Sequence, residues 1–213
     1  MQAGLEGLYR IRTEVDIVDF VIDDAARGEL SRAAHARRPR EQLLVSGGAG
    51  ASDLELGLFI CGDALANLTA NDPGHRLDER NWGDFLLVLE GVSHFVCVVF
   101  RAQLGRPVSA LELELQAEID KYVTAILLAG PDAGAGVARE LRERIFSGFR
   151  FAGDLDAHEL GRYREANARA ASYAESLEER YVRPRRLVEM LEELRRFYRL
   201  GYAEKCDVIA QAA

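Results

Sequence analysis

The chain is poor in cysteine, and what it has shows no pairing rhythm. Its 213 residues include three, Cys61, Cys97 and Cys206, far apart in the sequence. An odd, scattered set argues against a disulfide framework and for a reducing compartment. No Cys-x-x-Cys pair or His/Cys cluster occurs, which removes the usual zinc patterns. The N-terminus shows no basic-then-apolar leader of the secretory kind. Positive charge is also short: 27 lysines and arginines stand against 35 aspartates and glutamates, a formal net charge of −8. This balance disfavours a dedicated nucleic-acid binder and gives no attraction to anionic lipid. The most apolar stretch, residues 85–100, contains Glu90 and His94 and is shorter than the ~20 apolar residues a bilayer-spanning helix needs. The expectation is a cytosolic protein with no cofactor, no nucleic-acid partner and no membrane partner.

What is present is ordinary globular composition, 48% hydrophobic and 29% charged, so the chain is long enough and apolar enough to fold around a core. The expected fold class is α+β and predominantly helical. A small antiparallel sheet in the N-terminal third packs on a helical body that ends in a C-terminal helical hairpin. We read residues 1–213 as a single domain with three regions: 1–72 with the sheet, 81–130 as a core helical hairpin, and 134–213 as C-terminal helices.

In the first region, residues 16–22 (DIVDFVI) are rich in β-branched and aromatic residues and read as a strand. Arg27, Arg32, Arg37, Arg38 and Arg40 follow in a loop or short helix. No glycine-rich cradle or interleaved aromatics accompany them, so they read as a solvated segment rather than an anion site. Residues 41–46 and 53–60 flank a glycine-rich GGAGAS, and Leu54, Leu56, Leu58 and Ile60 alternate. This predicts a β-hairpin. The glycine run lacks the lysine of a phosphate-binding loop and leads into a strand, not a helix. Residues 63–72 read as a helix capped by Asp63 and stopped by Pro73 and Gly74.

The central region organises the rest. Residues 85–100 are apolar nearly all round, the pattern of a helix buried in the middle of a domain. Asn81 and Asp84 suggest an N-cap with an acidic third residue, and residues 104–108 (LGRPV) make a turn. Ser109 and Glu112 form a capping box for a second helix, striped by Leu111, Leu115, Ile119, Tyr122 and Ile126 and ended by Gly130 and Pro131. Glu114, Glu118 and Lys121 line up on one face of it. An antiparallel pairing about Arg106 brings His94 level with Glu118, and Glu90 level with Lys121 and Tyr122.

Glu90, His94, Glu118, Lys121 and Tyr122 are therefore the candidate site residues, read as a buried polar network because buried polar groups need partners. The alternative is an enzyme or metal-binding protein with a site around His94, Glu90 and Glu118. Against a bundle metal centre, Glu90 and His94 are four apart rather than three, and no second such pair exists. Ser93 beside His94 is no nucleophile and base, because adjacent helical residues do not face each other, and no G-x-S-x-G elbow is present.

In the last region, residues 137–147 form an amphipathic helix with Val137, Leu141, Ile145 and Phe146 inward. Phe149 and Phe151 follow in a break. Asp156 and Glu159 make a capping box. Leu160, Tyr163, Asn167, Ala170, Ala174, Leu177 and Tyr181 then trace a heptad seam, in which Asn167 can set register. After Arg183, Pro184 and Arg185, a returning helix is striped by Leu187, Leu191, Leu194 and Tyr198, flanked by Val188, Met190 and Phe197. Residues 202–212 make a last short helix. No ~34-residue period accompanies this hairpin, so a helical solenoid is not supported. The far end of the hairpin carries Arg183, Arg185, Arg186, Arg195 and Arg196. The functional expectation is a non-catalytic interaction protein, an adaptor or subunit of a larger assembly, with a protein partner or self-association through the C-terminal hairpin.

Overall fold

The structure is a computed structural model that describes residues 1–30, 39–46, 54–130, 134–148 and 156–212. Arg32, Arg37, Arg38, the GGAGAS connection, Pro131, Phe149 and Phe151 lie outside the described residues. The fold is α+β and predominantly helical, with nine α-helices and one two-stranded antiparallel sheet among the described residues, and a C-terminal helical pair is present. The chain divides into two compact units. The first comprises Met1–Gln2 and Arg12–Pro107, the second Ala3–Ile11 and Val108–Ala213. Helix α1 (Gln2–Tyr9) starts in the first unit and continues in the second.

In the first unit, a 3-10 turn (Ile17–Phe20) stands where residues 16–22 read as a strand. The side chain of Gln2, remote in sequence, and that of Asp16 take the backbone groups a sheet would need. Gln2 donates to the Val15 carbonyl at 2.7 Å and accepts from the Ile17 amide at 3.0 Å, while Asp16 accepts from the Val18 amide at 3.0 Å. An Asx turn of this kind competes with extended structure. What survives of the strand is one parallel bridge, Val21 to Leu58.

Helix α2 (Asp24–Leu30) leads toward the hairpin of β1 (Glu41–Ser46) and β2 (Glu55–Ile60), paired from Glu41 opposite Ile60 to Ser46 opposite Glu55. Leu58 and Ile60 are buried, as the alternation predicts, whereas Leu54 precedes the strand and is exposed. The Cys61 amide donates to the Arg40 carbonyl at 2.8 Å, closing the hairpin, and the chain turns at once into α3 (Gly62–Ala70). Cys61 is therefore the N-cap, and Asp63 lies in the first turn instead of capping the helix.

The sheet packs on α4 (Trp82–Gln103). Gly91 permits the close approach. A Cβ there would sit 2.9 Å from Cγ of Glu41 and 3.1 Å from Cδ1 of Leu58. Asn81 occupies the N-cap position of α4, yet its side chain does not cap. It accepts from the Asp78 amide at 2.9 Å and donates to the carbonyls of Asn71 (2.9 Å) and Arg76 (2.7 Å), bracing the connection from α3. Asp84 accepts from Asn67 at 2.7 Å and Arg40 at 2.8 Å, and these bonds, that from Asn67 foremost, hold its carboxyl below the usual range.

At 22 residues α4 is long and apolar enough to cross a membrane, which corrects the expectation drawn from residues 85–100 alone; 78% of its most apolar window is buried within the protein. Gly105 ends it in the left-handed region (φ 62°). From there its amide bonds the Ala102 carbonyl and that of Arg106 bonds the Arg101 carbonyl, both at 2.9 Å, a glycine-terminated Schellman arrangement.

The second unit holds α5 (Ala110–Ala129), α6 (Ala135–Phe146), α7 (Ala157–Leu177), a π-helical turn (Glu178–Val182), α8 (Leu187–Arg199) and α9 (Tyr202–Ala212). Ser109 caps α5 by accepting from the Glu112 amide at 3.1 Å, and the Asp156–Glu159 capping box of α7 is complete. α7 lies along α5. Ala166, Ala170 and Ala174, four apart and almost fully buried, let the helices approach closely. The seam thus differs from the expected one. Asn167 donates to the Phe146 carbonyl at 3.1 Å, satisfying the C-terminus of α6.

Two further faces are rotated from the expected ones. Ala138 is buried in α6 while Val137 is exposed, and in α8 Met190, Leu194, Phe197 and Tyr198 are buried while Leu187 and Leu191 are half-buried. Tyr173 on α7 stacks on Phe197 with centroids 4.4 Å apart, a pairing worth about 0.5–1.5 kcal/mol beyond burial.

Candidate functional site

Of the residues singled out from the sequence, Glu90 and His94 belong to α4 in the first unit, with His94 buried and Glu90 half-buried. Glu118, Lys121 and Tyr122 belong to α5 in the second. Within that unit Lys121 donates to Glu118 at 2.8 Å, one turn away, and both are buried. Glu114, expected on the same charged face, lies 3.6 Å from Arg162 of α7. Tyr122 is buried with its ring 6.1 Å from that of Phe146, and its hydroxyl has no hydrogen-bond partner among the described residues. Burial, and then the charge of Glu178, raise its pKa.

A larger polar cluster occupies the opposite row of α5, at Glu112, Gln116 and Asp120. Lys205 of α9, fully buried, donates to Gln116 Oε1 at 2.9 Å and lies 3.2 Å from Glu112. Gln116 donates from Nε2 to Asp120 at 2.9 Å and to the Tyr9 hydroxyl at 3.1 Å, and Tyr9 donates to Asp120. Desolvation, then the negative charge of Asp120, raises the Tyr9 pKa well above its ordinary value. Arg195 and Arg199 complete the hold on this segment. They donate to the carbonyls of Leu8 (2.9 Å), Tyr9 (3.1 Å) and Arg10 (3.0 Å), groups that the end of α1 leaves without helical partners. Each partner bonds the next inside the core, so this cluster locks the segment in place. Its signal in the sequence was the four-residue spacing of Glu112, Gln116 and Asp120; nothing local pointed to Tyr9 or Lys205.

The π-helical turn builds two arginine–carboxylate centres. Glu178, fully buried, accepts from Arg142 at 3.0 Å and from Arg183 at 3.1 Å. Glu193 of α8 accepts from Arg180 at 2.6 and 3.1 Å, from Tyr181 at 2.5 Å and from Tyr173 at 3.1 Å. The turn's wider hydrogen-bond spacing, Arg183 amide to Glu178 carbonyl at 2.9 Å, points Arg180 and Tyr181 back at α8. Beside this clamp lies a pocket of about 460 Å³, partly open to solvent. Phe197, Leu200, Val208 and Ala212 line its apolar part, and Arg180, Glu193, Arg196 and Gln211 its polar part, which is the larger. Arg196 makes no hydrogen bond or ion pair with any described residue.

No protein-family model matches the chain, and neither does any curated protein or solved structure.

Proposed function

We propose that this chain is a non-catalytic, cytosolic interaction protein, an adaptor or a subunit of a larger assembly, that docks its partner through the C-terminal helical hairpin. The observation that carries this is the division of labour among the arginines of residues 180–199. Arg180 and Arg183 are bound to internal carboxylates, and Arg195 and Arg199 to backbone carbonyls. Arg185, Arg186 and Arg196 have no hydrogen-bonded or ion-paired side chain among the described residues. In a protein of net charge −8, the uncommitted Arg185 and Arg186 at the turn before α8 make a local basic patch, with Arg196 about three turns further along the helix. Such a patch complements an acidic surface, steers association and favours arginine-rich interface chemistry. Val188, 68% exposed, adds an apolar contact beside it.

The test places a photo-crosslinking amino acid at Val188 in the full chain, expressed in its native cell. The expected result is one adduct of discrete mass, lost when Arg185 and Arg186 are both changed to Glu. An adduct of twice the chain mass identifies a second copy as the partner. A ladder of adducts unaffected by charge reversal, or none, overturns the proposal.

A further inference from the structure

We infer that the pocket lined by α8 and α9 anchors the C-terminal residue of a partner chain, a terminal carboxylate carried on an apolar side chain. The inference rests on the interaction role proposed above and names the chemistry of the contact. At about 460 Å³ the pocket falls within the ~300–1,000 Å³ of small-ligand sites. Phe197, Leu200 and Val208 offer a surface for an apolar side chain.

Its charge selects the other end of the ligand. Glu193 is held by Arg180, Tyr181 and Tyr173, so its oxygens are occupied and its charge is offset by Arg180. Arg196 remains, one positive charge whose donors no described residue takes, beside the apolar part of the lining. A guanidinium so placed matches a carboxylate in two parallel hydrogen bonds.

Two features favour a chain end over a free organic acid. The pocket is partly open to solvent, where a free acid is best held by near-complete enclosure and a chain end needs an exit for the residues before it. Gln211 presents an amide, able both to donate and to accept, as the peptide group before a terminal residue requires.

The experiment is a methyl-resolved NMR titration of the full chain, labelled at Leu and Val. The probes are N-acetyl-leucine, N-acetyl-leucinamide and 4-methylpentanoate. N-acetyl-leucine should shift the Leu200 and Val208 methyl signals with a Kd on the order of 1 mM, as expected for so small a ligand. The amide, lacking the charge, should bind at least about ten-fold more weakly. Arg196→Gln should weaken N-acetyl-leucine by a similar factor, with Arg196→Lys between the two and methyl signals outside the pocket unchanged in both.

Absence of shifts at Leu200 and Val208, or equal binding of acid and amide, overturns the proposal. So does binding of 4-methylpentanoate as tight as that of N-acetyl-leucine, which would assign the pocket to free acids. The broader interaction role fails separately: the Val188 adduct depends on Arg185 and Arg186 and survives any result of this titration.

Discussion

Lys205, fully buried near the start of α9, holds its ammonium 3.2 Å from the carboxylate of Glu112 in the first turn of α5. Gln116 takes a hydrogen bond from the same ammonium, so the pair is embedded in a network rather than isolated. A buried ion pair adds little over apolar packing, but removing one partner strands the other charge. Lys205→Met should therefore cost about 3–5 kcal/mol. Glu112→Gln in the same chain should return a large part of that, because it removes the stranded charge. Urea unfolding of the single and double variants measures both. A loss below about 1 kcal/mol for Lys205→Met would mean that Glu112 finds water or another donor instead.

Gly91 lies within α4, where alanine normally stabilises a helix by about 1 kcal/mol. Here the sign should reverse. The added methyl would lie 2.9 Å from the Glu41 side chain and 3.1 Å from that of Leu58, so Glu41 must shift and Leu58 must give by a few tenths of an ångström. Gly91→Ala should cost about 1–2 kcal/mol, the usual scale of overpacking. Glu41→Ala, which removes the nearest atoms, should restore part of the loss in the double variant. Thermal denaturation reads the outcome, and a Gly91→Ala protein more stable than the parent would show that these side chains yield at no cost.

Tyr9 and Tyr173 should make the protein sensitive to alkali. Burial, reinforced by Asp120 for Tyr9 and by Glu193 for Tyr173, raises both hydroxyl pKa values in the folded state. Below the ordinary tyrosine value of roughly 10 both states are protonated and this stability is fully present. Above it the unfolded chain ionises first, so stability falls as pH climbs toward the folded pKa values. Tyrosinate absorbance should rise together with the loss of helical circular dichroism, in one cooperative step. Tyr9→Phe should reduce the absorbance change of that step by one tyrosine. If these two side chains titrated smoothly in a protein that stayed helical, they would not be desolvated as described.

Much of the helical fold was legible in the order of residues because local chemistry dictates it. Ser109 and Asp156 start helices with their own oxygens, and Gly105 stops one by adopting a backbone conformation that other residues resist. The alternation ending in Leu58 and Ile60 named a strand, and its partner lay close by in sequence. Of the candidate site residues, the shared face of Glu118 and Lys121 was legible for the same reason, since they are one turn of helix apart; their bond to each other was not read from the sequence.

Other features were settled by groups remote in sequence. Residues 16–22 have strand-like side chains, but Gln2 and Asp16 took their backbone groups and left a 3-10 turn. The polar row Glu112, Gln116 and Asp120 could be counted on α5, yet its meaning depended on Lys205 and Tyr9 arriving from distant segments. The inward faces of α6 and α8 are rotated from those read off the sequence because packing selects the rotation that fills space: Ala138 and Met190 join the larger buried residues, and Val137 and Val188 are left out. Helix starts, stops and periodicity belong to the sequence, since a capping side chain or a glycine acts within one turn. Which buried charge meets which, and which arginines those contacts engage, belong to the tertiary structure, since hydrogen bonds and ion pairs form only between groups that folding brings within about 3–4 Å.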